Sequence, residues 1–300
     1  MLETVATFYY TPWRLKSITS DEMTGMMSKY ATASALQPQP PVGRSFRHGR
    51  VISALVLREM SSRYGRSPGG YAWALLEPLG AIAVLTILFA AGLRIRTPGL
   101  GVSWPLFFCT GILCFQMYQR VSNATASALV YSRALLEYPG VTFMHAIIAR
   151  FALNFLTTLV VTCIVLAAVL GLSDTRAILD PVPIAEALSM AAALGLGVGA
   201  LNAYLTNAFP IWGSVWSIAA TPLFFLSGIL YVFEDMPEFA REFLWWNPII
   251  HLVSIMRRGF YPYYDAAFAS PLYVMLVAMT LAATGFMLLY RHHRNLLTNG

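Results

Sequence analysis

ALSMAAALGLGVGALNAYLTNAFPIWGSVWSIAATPLFFLSGILYVF, residues 187–233, contains no Asp, Glu, Lys or Arg, and Pro210, Gly213 and Pro222 are its main interruptions. A spanning helix needs about 20 apolar residues, so the run predicts two membrane crossings joined by a tight turn at 207–213. Hydrocarbon offers a backbone amide no partner, so each crossing must satisfy its hydrogen bonds within its own helix. The implied fold class is an all-α membrane protein, whose work lies across a bilayer.

Working outward, charge-free windows place four more spans. They are 71–93, interrupted by Glu77-Pro78; 97–119, continuing toward 125 past Arg120; 151–173; and 266–290. With the pair in the long run, six transmembrane helices are expected. Bulk composition agrees: 57% of the 300 residues are hydrophobic, 11% are charged, and mean hydropathy is +0.61, against roughly 25% charged in ordinary soluble domains. A formal charge of +6 raises nucleic acid as a partner, but that footprint requires a clustered basic stripe. Here the basic residues are scattered and tied to segment ends, so they read as topology signals. With the N-terminus inside, 14 of the 20 fall on the inner face, which predicts two cytoplasmic termini. The first 45 residues lack an apolar core and end in QPQPP, which reads as a mobile cytoplasmic extension ahead of a transmembrane domain at 46–300.

Two further segments are distinctive. Residues 50–64 predict a helix lying on the inner surface, with Ile52, Leu55, Val56, Met60 and Tyr64 on one face. Its Arg58, Glu59 and Arg63 are then available to a cytoplasmic partner. Between spans five and six, FLWWNPIIHLVSIM (243–256) is charge-free but too short to cross. Asn247-Pro248 breaks it into two half-helices. Two readings fit: a re-entrant loop at the outer mouth of a pathway, or an interfacial anchor with Trp and Tyr at headgroup level.

Several chemistries find no residues. The two lysines, Lys16 and Lys29, follow no glycine-rich loop, so the chain does not bind ATP in the P-loop manner. GLGVG at 195–199 sits inside span four, where small residues serve close helix packing rather than a dinucleotide. Glu77 is the one intramembrane carboxylate, too little for ion coupling. Cys109, Cys114 and Cys163 lack metal or redox spacing and read as small core hydrophobes. His48, His145, His251, His292 and His293 are dispersed, and no metal site is expected. No catalytic triad presents itself, and the chain is not expected to be an enzyme. The 18 Phe, 15 Tyr and 7 Trp crowd span ends, either as an aromatic belt or as flat faces on which a sugar chain slides.

LREMSSRYGRSPGGYAWALLEP (57–78) resembles the signature that opens the transmembrane permease subunit of type-2 ABC exporters for surface polysaccharides. LWWNPIIH (244–251), followed by Arg257 and Tyr261-Pro262, is similar to the second signature of that family. The wording is nearest to the capsular polysaccharide exporters, and the match runs from about residue 50 to the C-terminus. The resemblance implies a homodimer in the bacterial inner membrane, joined to two copies of a separate ABC ATPase subunit that binds ATP and Mg. Arg58, Glu59, Arg63 and Tyr64 would dock on that ATPase. A coupling helix near 131–141 would carry Arg133 and Glu137, spaced to pair along a helix. Trp245, Trp246, Asn247, Pro248 and Arg257 would shape a periplasmic re-entrant exit, and Tyr71, Trp73, Phe107 and Tyr231 would line the glycan path. The cargo would be a lipid-linked capsular polysaccharide, handed to periplasmic and outer-membrane export proteins. Related exporters of O-antigen or teichoic acid, and an intramembrane enzyme acting on lipid-linked sugars, are the alternatives.

Overall fold

The computed structural model describes residues 44–64, 70–94, 97–136, 141–173 and 179–298; within these, the side chains at 44–47, 61–64, 70–71, 133–136 and 293–298 are not described. Contacts divide the chain into Met1–Arg47 and His48–Gly300, and the helical bundle lies in the second unit. Among the described residues there is no strand. The helices are α1 (Arg44–Tyr64), α2 (Gly70–Ile87, continued by a π-helical turn Leu88–Gly92), α3 (Trp104–Ala126), α4 (Ala128–Leu136) and α5 (Phe143–Leu172). After them come α6 (Pro181–Ala208), α7 (Trp212–Leu226), α8 (Glu238–Leu244), α9 (Pro248–Arg258) and α10 (Pro271–Thr298).

Proline and a short polar residue punctuate these starts. Pro105, Pro181, Pro248 and Pro271 all fall in first turns, where a missing N–H costs nothing. Asp180 caps α6 by accepting from the Val182 N–H at 3.0 Å, and Asn247 caps α9 by accepting from the Ile249 N–H at 3.1 Å. The expected break at Asn247-Pro248 is therefore real, with α8 and α9 on either side.

Among the described residues, four segments are long and apolar enough to cross a membrane: Ala72–Gly92, Phe143–Leu172, Pro181–Ala208 and Pro271–His292. The other two expected spans each lack one criterion. α3 has the length, 23 residues or about 35 Å, but carries Gln116, Gln119, Arg120, Ser122 and Asn123. α7 is apolar but has only 15 residues, none of them buried.

α3's polarity is explained by its position: α2, α5, α6 and α9 all pack on it, so most of its surface never meets lipid. α6 is held between α3 and α10 at backbone distance. A Cβ on Gly195 or Gly199 would lie 2.7 or 2.6 Å from the Tyr118 or Ser122 carbonyl of α3. One on Gly197 would lie 2.5 Å from the Ala278 carbonyl of α10. The GLGVG run is thus a two-sided packing surface. Cys109 and Cys114 are buried, as core hydrophobes should be, whereas Cys163 is exposed on α5.

α3 also sets the long axis. Its first turns meet the α7–α10 connection, through Phe107 against Arg257 and Gly111 against Ile229. Its last turns meet α1, α4 and the start of α5. From Phe107 to Asn123 the rise is about 24 Å, so the two conspicuous sequence segments sit at opposite ends of the bundle.

Candidate functional site

At the α1 end, the inward face of the helix is Val51, Ile52, Leu55, Val56 and Glu59, all half-buried. Met60, expected on that face, is instead exposed, because Glu59 turns inward to an arginine. That arginine is Arg150, inside α5 and nine-tenths buried. Its Nη2 pairs with the Glu59 carboxylate, its Nη1 donates to Ser127 Oγ at 2.8 Å, and the Tyr131 ring lies 4.2 Å from its guanidinium. A charge this far from water persists only when an opposite charge or several hydrogen bonds compensate it. A second pair, Arg120 to Glu77 at 2.9 Å, joins α3 to α2.

Between α1, α3, α4 and α5 these groups enclose a cavity of about 540 Å³, whose lining includes Arg58, Arg120, Arg150, Asn123 and Tyr131. Nearby, His48 and His145 stack with centroids 5.0 Å apart, His48 Nδ1 lying 2.7 Å from His145 Nε2. Those two histidines, dispersed in sequence, are brought together by α1 lying against the start of α5.

The opposite end is built around two buried polar hubs. His251 Nδ1 accepts from the Ser270 N–H at 3.2 Å, so its proton is on Nε2, which donates to the Trp245 carbonyl at 2.7 Å. One imidazole thereby fixes the α8–α9 junction to the start of α10. Burial pushes its pKa down, partly offset by the Trp245 bond. Asn247 adds a third tie, its Nδ2 donating to the Leu226 carbonyl at the end of α7 at 3.0 Å.

Arg257, 1% exposed, is the second hub. It donates to the Tyr231 and Ile229 carbonyls at 2.8 and 3.1 Å, and its guanidinium lies 4.0 Å over the Phe107 ring. Burial lowers its pKa to about 10, against the opposing influence of Tyr264, Tyr261, Glu234 and Tyr231. It therefore remains a cation at neutral pH, held by carbonyls and a ring face.

Of the residues singled out in the sequence, Trp245, Asn247, Pro248 and Arg257 come together in this loop. Trp246 projects outward with 69% of its surface exposed, while its carbonyl accepts from Tyr273 Oη at 2.8 Å. Arg58 and Glu59 both line the 540 Å³ cavity. Arg63 and Tyr64 lie in α1, Arg133 in α4 and Tyr71 in α2, with side chains outside what is described; Glu137 lies outside the described residues altogether. Of the expected path residues, Trp73 faces outward from α2, whereas Phe107 and the half-buried Tyr231 are linked through Arg257, which stacks on the ring of one and donates to the carbonyl of the other.

A groove of about 310 Å³ between α3 and α7 instead combines Phe115, Tyr118 and Trp216 with Gln119, Ser217 and Thr221. Sequence reading passed over these residues and over Arg150. The available signal was polarity recurring at 116, 119, 120 and 123 within an otherwise apolar helix, which marks an inward face rather than a span end.

Several lipid-compatible helices, a helix packed beside their ends and a capped helical loop at the far end, with no strand among the described residues, define a polytopic membrane protein. Residues 50–261 match the model for ABC-2 type transporters, and the chain belongs to that family. It is 27% identical to the polysialic acid transport protein KpsM of Escherichia coli, over 83% of this chain and 95% of that one. To the capsule polysaccharide export inner-membrane protein CtrC of Neisseria meningitidis it is 25% identical, over 81% and 91%. To BexB of Haemophilus influenzae, also a capsule polysaccharide export inner-membrane protein, it is 24% identical over 71% and 80%.

Proposed function

We propose that this chain is the membrane subunit of an ATP-driven exporter that moves lipid-linked capsular polysaccharide across the bacterial inner membrane. The observation that carries this is likeness to capsule-export proteins along nearly their whole length, 95% of one of them, rather than over an isolated motif. Two copies form the conduit, and two ATPase subunits supply the energy. The chain itself makes and breaks no covalent bond.

α3 and α7 complete six crossings, α3 because its polar face is sheathed by protein and α7 because the apolar turn after it extends its reach. α1 lies on the cytoplasmic surface, both termini are cytoplasmic, and α8–α9 form a re-entrant element at the periplasmic exit facing the periplasmic and outer-membrane export proteins. The α3–α7 groove suits a glycan: ring faces stack on sugar C–H surfaces while amide and hydroxyl groups exchange hydrogen bonds along the chain. Nucleotide shifts the conduit only through its different affinity for the two conformations.

The test is complementation. The gene, supplied with an ABC ATPase gene, is expressed in a capsule-permease deletion strain, and surface capsule is quantified with antibody. Restored capsule that requires both genes is the expected result. Arg63→Glu should insert normally and lower export at least tenfold while ATP hydrolysis by the partner persists; full export by that variant removes the docking role of α1. Export without any ATPase would overturn the reading.

A further inference from the structure

We propose that Asn202 is a positioning residue for export: its hydrogen bond to Trp212 is a latch that fixes where α7 stands relative to α3, and so the width of the groove between them. The inference deepens the export reading and rests on it only for what the groove carries.

α7 is built to bend. None of its 15 residues is buried, and it is fixed near the loop end of the bundle. There the Phe224 ring meets Phe115 of α3 edge-on, with centroids 5.5 Å apart, and the Leu226 carbonyl accepts from Asn247 Nδ2 at 3.0 Å. Pro222 then interrupts the helix, because it has no N–H to give the Ile218 carbonyl. One turn nearer the α1 end, Thr221 Oγ1 donates back to the Ser217 carbonyl at 3.1 Å, a pattern that bends helices. Residues 212–221 can therefore swing relative to the fixed end.

That segment supplies most of the α7 wall of the groove: Gly213, Trp216, Ser217, Ala220 and Thr221. Among the described residues, one side-chain hydrogen bond ties it to another helix. Trp212 Nε1 donates to Asn202 Oδ1 of α6 at 2.9 Å. The stance of the wall thus hangs on a single indole N–H.

Asn202 is equipped for a second arrangement. It is 3% exposed, and while Oδ1 holds the indole, Nδ2 is buried and meets no acceptor among the described residues. Native structures seldom leave a buried amide half used, because the idle donor has given up its water. Two turns before it on the same face of α6, Gly195 lies against Tyr118 of α3, and Gly199 lies against Ser122 and Thr125. Thr125 Oγ1 is buried there and is also without a partner. The spare amide and the spare hydroxyl belong to one seam. When Trp212 leaves, Asn202 turns its amide to Thr125, and the released state recovers a hydrogen bond for the one it loses. Two arrangements so closely matched form a switch, which a ligand biases by its different affinity for them.

The full-length protein in a Cys163→Ser background is spin-labelled at Gln119→Cys and Ser217→Cys, one on each wall of the groove, and reconstituted in nanodiscs. Dipolar broadening of the nitroxide spectrum reads the separation of the walls, and singly labelled samples correct for broadening between subunits. Trp212→Phe keeps a ring and loses the N–H, whereas Asn202→Leu loses the acceptor. Each should remove at least half of the broadening, and the double variant should remove no more than either alone. Asn202→Asp keeps an acceptor oxygen and should retain the wild-type spectrum. Thr125→Val alters the same seam but spares the latch, so its broadening should equal or exceed that of the wild type.

Unchanged broadening in Trp212→Phe and Asn202→Leu overturns the proposal, since α7 then keeps its place without the bond. Additive loss in the double variant also overturns it, as does loss in Asn202→Asp or Thr125→Val equal to that in Asn202→Leu; either result makes Asn202 a packing residue of the seam. The two single variants attack the bond from opposite ends, so if one fails to insert, the other decides. Surface capsule in the complemented strain is scored separately. Capsule with a wall separation blind to the latch sinks the latch alone, whereas a latch-dependent separation without capsule sinks the exporter reading alone.

Discussion

A charged side chain inside an apolar helix is tolerated only when another element neutralises it, and Arg150 shows how that constraint builds the α1 end. Removing Glu59 leaves the guanidinium buried with Ser127 and a ring face as its remaining partners. Glu59→Gln should therefore destabilise the protein by about 3 kcal/mol, read as a lowered unfolding midpoint in detergent. Replacing both partners together, Glu59→Leu with Arg150→Met, should recover most of that loss. If the double variant is no better than the single one, the pair is not what holds α1. His251 makes the matching case at the other end. Its folded pKa lies below the ordinary value, so as pH falls below about 6.5 the unfolded chain takes up a proton that the folded loop refuses. Stability from this hub is complete above that pH and declines beneath it. Hydrogen exchange at the Ser270 amide, corrected for its intrinsic rate, should accelerate between about pH 6.5 and 5, and His251→Phe should abolish the dependence. Neither residue's role was legible beforehand: a charge-free window starts the third span at 151, after Arg150, because one-dimensional charge cannot register a partner 91 positions away.

At the scale of elements, what the sequence made legible were the breaks and the small-residue faces. Proline in first turns, the Asn247 cap and the interruption at 207–213 all act through neighbouring residues, so they can be read locally. The glycines of α6 form a local pattern with a long-range meaning. Gly197→Ala and Gly199→Ala place a Cβ about 2.5 Å from carbonyls of α10 and α3, which forces two helix pairs apart. Each should cost about 1–3 kcal/mol, measured by scanning fluorimetry of the detergent-solubilised protein. Gly171→Ala, late in α5 with nothing within 4 Å of the added carbon, should be neutral or slightly stabilising. Equal effects at all three positions would mean that helix propensity, not close approach, governs them. Composition is a weaker guide wherever protein replaces lipid. α3 fails an apolar criterion because its neighbours cover it, and the glycan-compatible groove along its side could not be assembled from segments about 100 residues apart without knowing that α7 lies beside it.

For the molecule as a whole, one geometric relation carries the proposed transport direction. The α1 cavity and the His251–Arg257 loop occupy opposite ends of α3, separated by about 24 Å of helix, most of the thickness of a hydrocarbon core. An ATPase at one end and an exit at the other require those ends to face different compartments. Leu57 and Trp246 are suitable reporters, being 66% and 69% exposed on the two ends. The native thiols interfere little, since Cys109 and Cys114 are buried and Cys163→Ser removes the exposed one. In that background, a membrane-impermeant maleimide added to intact spheroplasts should label Trp246→Cys and spare Leu57→Cys. Inverted vesicles should reverse the pattern. Labelling of both from one side would place α1 and the loop in the same compartment, and no arrangement of six crossings with α1 at the cytoplasmic face would survive it. Because the separation is fixed by α3 itself, a continuous helix packed against four others, conformational change during transport can widen or narrow the groove beside it without bringing the two ends together.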